Sequence, residues 1–153
     1  MKIMLSAYYG IFRPVNDEGW EGGFDVTFPD VPGAITVGHN LDESLSMAVE
    51  ALSMILGSGR KGKDYRDPSS YEAILAQAEP GDRVFPVLPD SRLIVANSPK
   101  KRISLMLPSS QLSIIGSITN DVEGLDRSKF IAHAIDYYLA EKYPDAVSQS
   151  AEA

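Results

Sequence analysis

Residues 100–107, Lys-Lys-Arg-Ile-Ser-Leu-Met-Leu, place an alternating segment behind three cations and stop at Pro108. A period of two reads as a β-strand. Everything after Pro108 has helical spacing, so no second strand is available nearby. Leu112, Ile115, Ile118 and Val122 form one stripe, and Gly124 stands where a glycine ends a helix. Asp126 is placed to cap the next helix, which carries Phe130, Ile131, Ala134, Ile135, Tyr138 and Leu139. One strand and two helices, about 45 residues, cannot bury their apolar faces alone. A single strand also leaves both edges unpaired. The simplest solution is a dimer in which two strands pair antiparallel over four helices. Ile103, Leu105 and Leu107 then face the shared core, while Arg102, Ser104 and Met106 face outward.

Such a two-stranded ribbon fits the major groove of DNA, where arginine is the commonest reader of guanine edges. Arg102 and Ser104 bring hydrogen-bonding groups to that face. Met106 brings only apolar contact, for instance with a thymine methyl. Lys100 and Lys101 suit the phosphate backbone. The second helix opens with Arg127, Ser128 and Lys129, where free backbone N–H groups bind phosphate. The Asp126 charge opposes a very close phosphate there.

Charge is unevenly spread along the 153 residues. Residues 1–98 carry a net −6, residues 99–143 a net +1 and the tail a net −2, for −7 overall. The acidic first part suits a basic partner and argues against its holding nucleic acid directly. There is no apolar run long enough to span a membrane. The start, MKIMLSAYYGIF, has one lysine and no small-residue cleavage site after it, so it reads as a strand rather than a signal peptide. Cysteine is absent, which excludes disulfides and thiolate metal sites and is in keeping with the cytoplasm.

The first part reads as a small sheet with one long helix. A strand is expected over Lys2–Val15, with Ile3, Leu5, Ala7 and Tyr9 on one face. The turn Asn16–Gly19 follows, then a second alternating run with Phe24, Val26 and Phe28 inward. Pro29–Gly33 breaks the chain before a short strand at 34–38. Asn40 and Glu43 have capping-box spacing. Leu41, Leu45, Ala48, Leu52 and Ile55 continue as a helix that Gly57 is expected to close. Residues 57–68 read as a mobile loop, Tyr71–Ala78 as a short helix, and Arg83–Leu88 as an edge strand, since Pro86 donates no ladder hydrogen bond. The expected organisation is a domain over 1–90, a linker over 91–99, a second domain over 100–143 and a flexible tail over 144–153.

KKRISLMLPSSQLSIIGSITNDVEGLDRSKFIAHAIDYYLAE resembles a ribbon-helix-helix DNA-binding domain. The resemblance implies that Arg102, Ser104 and Met106 face bases and that Arg127, Ser128 and Lys129 lie by phosphates. GWEGGFDVTFPDVPGAITVGHNLDESLSMAVEALSMIL is similar to the HicB-type antitoxin domain, whose signature includes Phe28-Pro29-Asp30-Val31-Pro32-Gly33. Together they imply an α+β protein, a degraded ribonuclease H-like sheet joined to a ribbon-helix-helix. They also imply a small basic, RNA-cleaving HicA-type toxin as partner, operator DNA as ligand, a homodimer or tetramer, and no cofactor, metal or catalysis.

Other residues admit simpler readings. Phe28–Gly33 is a structural turn before it is a toxin contact. Asp25, Asp30, Asp42 and Glu43 could form a two-metal nuclease site, but Asp42 and Glu43 sit in a helix's first turn, where acids suit the dipole. His39 and His133 lack ligand spacing and read as solvated, as do Arg60, Lys61 and Lys63. Tyr8, Tyr9, Phe12 and Trp20 read as packing residues. Two rival functions remain open. One is a solitary regulator with a ligand-sensing first domain, and the other is an active nuclease.

Overall fold

The computed structural model describes residues 5–147. In chain order it contains β1 (Tyr8–Pro14), β2 (Phe24–Thr27), β3 (Ile35–Gly38), α1 (Leu41–Ser58), α2 (Tyr71–Leu75), β4 (Arg83–Val87), α3 (Ser91–Asn97), α4 (Ser109–Asp121) and α5 (Arg127–Lys142). The chain divides between Lys100 and Lys101 into two compact units. The first is an antiparallel sheet in the order β3-β2-β1-β4 with helices, so its class is α+β.

Strand register places Phe12 opposite Val26 on one side and opposite Arg83 on the other. Phe24, Val26 and Phe28 face inward as their alternation requires, and all three are buried. Strand β1 alternates as expected. Tyr8, Gly10 and Phe12 turn to the core, and Tyr9 packs edge-on against Tyr71 on the other face. Strand β1 also begins only at Tyr8, with residues 5–7 outside it; Lys2 and Ile3 lie outside the described residues. The apolar residues of this segment run on both faces, and the fully buried Phe12 decides between them by packing against Phe24 and Phe85. Burying a side chain such as Phe12 or Leu52 stabilises by about 1.5–3 kcal/mol, and both are fully inaccessible.

Helix α1 starts as its sequence directs. The Asn40 side chain accepts from the Glu43 N–H at 2.9 Å. Glu43 reaches back to the His39 N–H rather than to that of Asn40, at 2.8 Å. The helix does not end at Gly57; it runs to Ser58, and Gly59 caps it. Gly57 serves a different purpose. A Cβ there would meet the Ile94 carbonyl oxygen at 2.4 Å, so only glycine lets α3 lie this close to α1. Residues 91–99, expected as a linker, thus contain a helix packed on α1. Asp90 caps it through the Arg92 N–H, and the Asp90 N–H donates to Ser53 Oγ at 2.8 Å. Helix α2 is shorter than expected, ending at Leu75 with its Ser70 cap in place. Strand β4 is an edge, as Pro86 requires.

In the second unit α4 and α5 pack together, and Gly124 turns the chain between them at φ +78°. Residues 101–107 form no strand within the single chain. A strand exists through its ladder, and among the described residues this segment has no ladder partner. Of the expected tail, residues 144–147 take a helical turn and the remainder lies outside the described residues.

Candidate functional site

The Phe28–Gly33 motif is a structural hub. Asp30 is 2% exposed. Its carboxylate accepts from Arg66 Nε at 2.6 Å, from the Ser69 N–H at 2.7 Å and from the Ser69 hydroxyl at 2.9 Å. Its carbonyl accepts from the Arg66 N–H, and the Tyr8 hydroxyl donates to the Arg66 carbonyl at 3.0 Å. The loop expected to be mobile is therefore held at its far end. At its near end Gly62 and Tyr65 close a turn, Arg60 pairs with Asp64, and Lys61 pairs with Asp67 at 2.8 Å. Burial raises the Asp30 carboxyl, but the Ser69 and Arg66 donors outweigh it and hold the group below the usual range.

Tyr8 shows the opposite balance. Burial first, then the charges of Tyr65, Asp67 and Asp30, raise its hydroxyl to about 12. The fold favours neutral Tyr8, so this contribution is complete below the unfolded value near about 10. It is lost as pH rises through about 12. In an alkaline titration followed by tyrosinate absorbance, one tyrosine is expected to lag the others, and Tyr8→Phe removes that late step. An unchanged titration in Tyr8→Phe would contradict the assignment.

The carboxylates considered for a metal do not converge. Asp25 lies on the open sheet face, Asp30 is consumed by its hydrogen bonds, and Asp42 and Glu43 open α1. No group of three metal-ligating side chains occurs among the described residues. His39 stacks on Trp20 with ring centres 4.0 Å apart and hydrogen-bonds Glu43 at 3.0 Å, while remaining exposed. His133 is exposed on α5.

The sheet has one covered face and one partly open face. Beside α1, a groove of about 210 Å³ is lined by Ile35, Thr36, Met47, Glu50 and Met54 among others. On the opposite face a hollow of about 480 Å³ lies among Ile11, Arg13, Asp25, Thr27, Ile35 and Gln77. Ile35 is 67% exposed, and Val37, Met47 and Met54 are also exposed. Sequence reading missed this surface. Met47 and Met54 stand two helical turns apart on α1, which was the available signal.

In the second unit, Lys101, Arg102, Ser104 and Met106 are exposed, Met106 at 97%. Lys100 is exposed at the end of the first unit. Arg127, Ser128 and Lys129 are exposed at the start of α5. Asp126 accepts from the Lys129 N–H at 2.8 Å, and Lys129 Nζ donates to the Gly124 carbonyl at 2.7 Å. Lys129 thus closes its own turn as well as presenting charge. Leu107, Ile114, Ile115, Phe130, Ile135 and Leu139 contribute to an open, almost wholly apolar cavity of about 440 Å³. Among the described residues, no helix is long and apolar enough to cross a membrane.

A family model for the HicB-like antitoxin of bacterial toxin–antitoxin systems matches residues 14–135. Solved structures similar to the chain include the antitoxin HicB of Burkholderia pseudomallei, at 24% identity and TM-score 0.41, covering 90% of this chain and 98% of that one. A toxin–antitoxin complex from Streptococcus pneumoniae is similar at 18% identity and TM-score 0.46, covering 88% of this chain and 99% of that one. No curated protein sequence gives a significant match.

Proposed function

The chain belongs to the HicB-like antitoxin family of bacterial toxin–antitoxin systems, and from that premise we propose a division of labour between its two units. The sheet unit masks a small, basic, RNA-cleaving HicA-type toxin. The C-terminal unit forms a ribbon-helix-helix dimer that binds operator DNA and represses the chain's own operon, acting in the cytoplasm. Neither unit catalyses a reaction.

One observation carries the DNA-binding half. An exposed alternating segment with a basic entrance lies in the same unit as an open apolar cavity of about 440 Å³. A second copy supplies the missing ladder and fills the cavity, which together make the unit stable. Arg102, Ser104 and Met106 then share the ribbon's outer face. Lys100, Lys101, Arg127, Ser128 and Lys129 flank it toward phosphate. Two dimers side by side on one operator give a tetramer.

Arg102→Ala is expected to weaken operator binding by about 1–3 kcal/mol and to relax specificity at one base position. Lys101→Ala is expected to weaken binding to all sequences and flatten the salt dependence. Both leave toxin neutralisation intact. A gel shift with unchanged operator affinity for Arg102→Ala would overturn the ribbon. The partner half is tested by co-expressing the tagged chain with its flanking reading frames. Recovery of a stoichiometric small basic protein that the chain inhibits supports the antitoxin role. Recovery of the chain alone, still shifting its promoter DNA in response to a metabolite, favours a solitary ligand-sensing regulator.

A further inference from the structure

The two edges of the sheet differ in kind. Strand β4 carries Arg83 and Pro86, the charge and the missing donor that discourage a further strand. Strand β3 is Ile-Thr-Val-Gly and has neither. It is nevertheless the terminal strand, next only to β2, and Ile35 is 67% and Val37 38% exposed. An unprotected edge with apolar side chains beside it is a template for another strand.

The surroundings of that edge add a chemical preference. A strand laid along β3 sends alternate side chains to opposite faces. One set enters the groove beside α1, with Met47 and Met54 as apolar walls and Glu50 as its acid. The other set meets the open sheet face beside Val37, where Asp25 is its cross-strand neighbour. Asp25 and Glu50 are in no ion pair among the described residues. Arg13, a cation lining this hollow, feels the Asp25 charge only weakly, because it is held by Asp82 at 2.9 Å and by Glu79 at 3.3 Å.

We propose that β3 is the docking edge for the toxin, which adds a strand to the sheet whose side chains alternate between apolar and basic. The inference rests on the antitoxin reading and specifies where and how the partner binds. Backbone hydrogen bonds along β3 supply affinity, while the groove and the hollow read alternate side chains. The acidic groups on both sides favour a basic strand. They disfavour a second copy of this acidic edge, since like charges would be brought together.

The test uses the full chain and the protein encoded by the adjoining reading frame, purified separately and mixed. Ile35→Lys and Val37→Lys each put a cation at the edge without touching the buried core. Each is expected to weaken toxin binding by at least about tenfold, while operator affinity and the melting curve stay unchanged. Backbone amides of residues 35–38 are expected to gain hydrogen-exchange protection in the wild-type complex. Wild-type complex formation with unchanged affinity in both variants overturns the β3 site and leaves the antitoxin role standing. Absence of any wild-type complex overturns both. A change in the chain's own oligomeric state, with toxin affinity unaltered, assigns the edge to self-association and overturns the proposal.

Discussion

Asp30→Ala is expected to destabilise the sheet unit by about 2–4 kcal/mol, seen as a lower midpoint in denaturant unfolding. The substitution removes three hydrogen bonds to a buried carboxylate and leaves the Ser69 N–H without its partner. Arg66 also loses the anchor for its guanidinium, although that group is largely exposed and can turn to water. Asp30→Asn is expected to cost less, because an amide oxygen still accepts one or two of these bonds. The same site predicts a pH dependence. The folded Asp30 carboxyl is held below its unfolded value, so the unfolded chain binds the proton more readily. Its contribution is complete above the unfolded value near about 4 and is lost as pH falls through the lower folded value. Asp30→Asn should therefore flatten the acid limb of the stability profile. An unchanged midpoint in Asp30→Ala would show that the loop does not depend on this hub.

Much of the fold is legible wherever one local rule acts alone. The alternation of Phe24, Val26 and Phe28, the Asn40 cap, the Ser70 cap and the Pro86 edge each follow from a period or a donor count. Legibility fails where a contact spans many residues. Gly57 looks like a helix terminator because glycine often is one. Its reason is the Ile94 backbone, nearly forty residues later. The loop at 57–68 looks mobile because it is polar and contains glycines. It is held by Asp30 and by Tyr8 from β1, which no local pattern shows. Local alternation does not say which face of β1 meets the core, because apolar residues occupy both faces, and only packing against Phe24 and Phe85 chooses between them. The alternation of residues 102–107 behind three cations is visible in the sequence as a pattern. The β3 edge is not, because an edge exists only once strand order is known.

The largest functional effect is expected from Leu105→Glu. In the proposed ribbon, period two places Leu105 toward the shared core and its neighbour Met106 away from it. In the single chain Leu105 is 47% exposed and Met106 97%. Of these two neighbours, the proposed dimer leaves Met106 exposed and buries Leu105. A carboxylate there must be buried without a partner, at a cost of several kcal/mol for each of the two copies. Operator binding should fall by more than about a hundredfold as the dimer is lost. Sedimentation should report monomers, and toxin neutralisation should persist. Met106→Glu is the parity control. It should stay dimeric and weaken operator binding through repulsion from phosphate, with a changed salt dependence. Melting of the C-terminal unit should also rise with protein concentration in the wild type, since association and folding are then one equilibrium. A Leu105→Glu protein that remains dimeric and binds operator like wild type would exclude the ribbon. Equal loss of dimer in both variants would point instead to a helical seam, because a helix does not send adjacent residues to opposite faces.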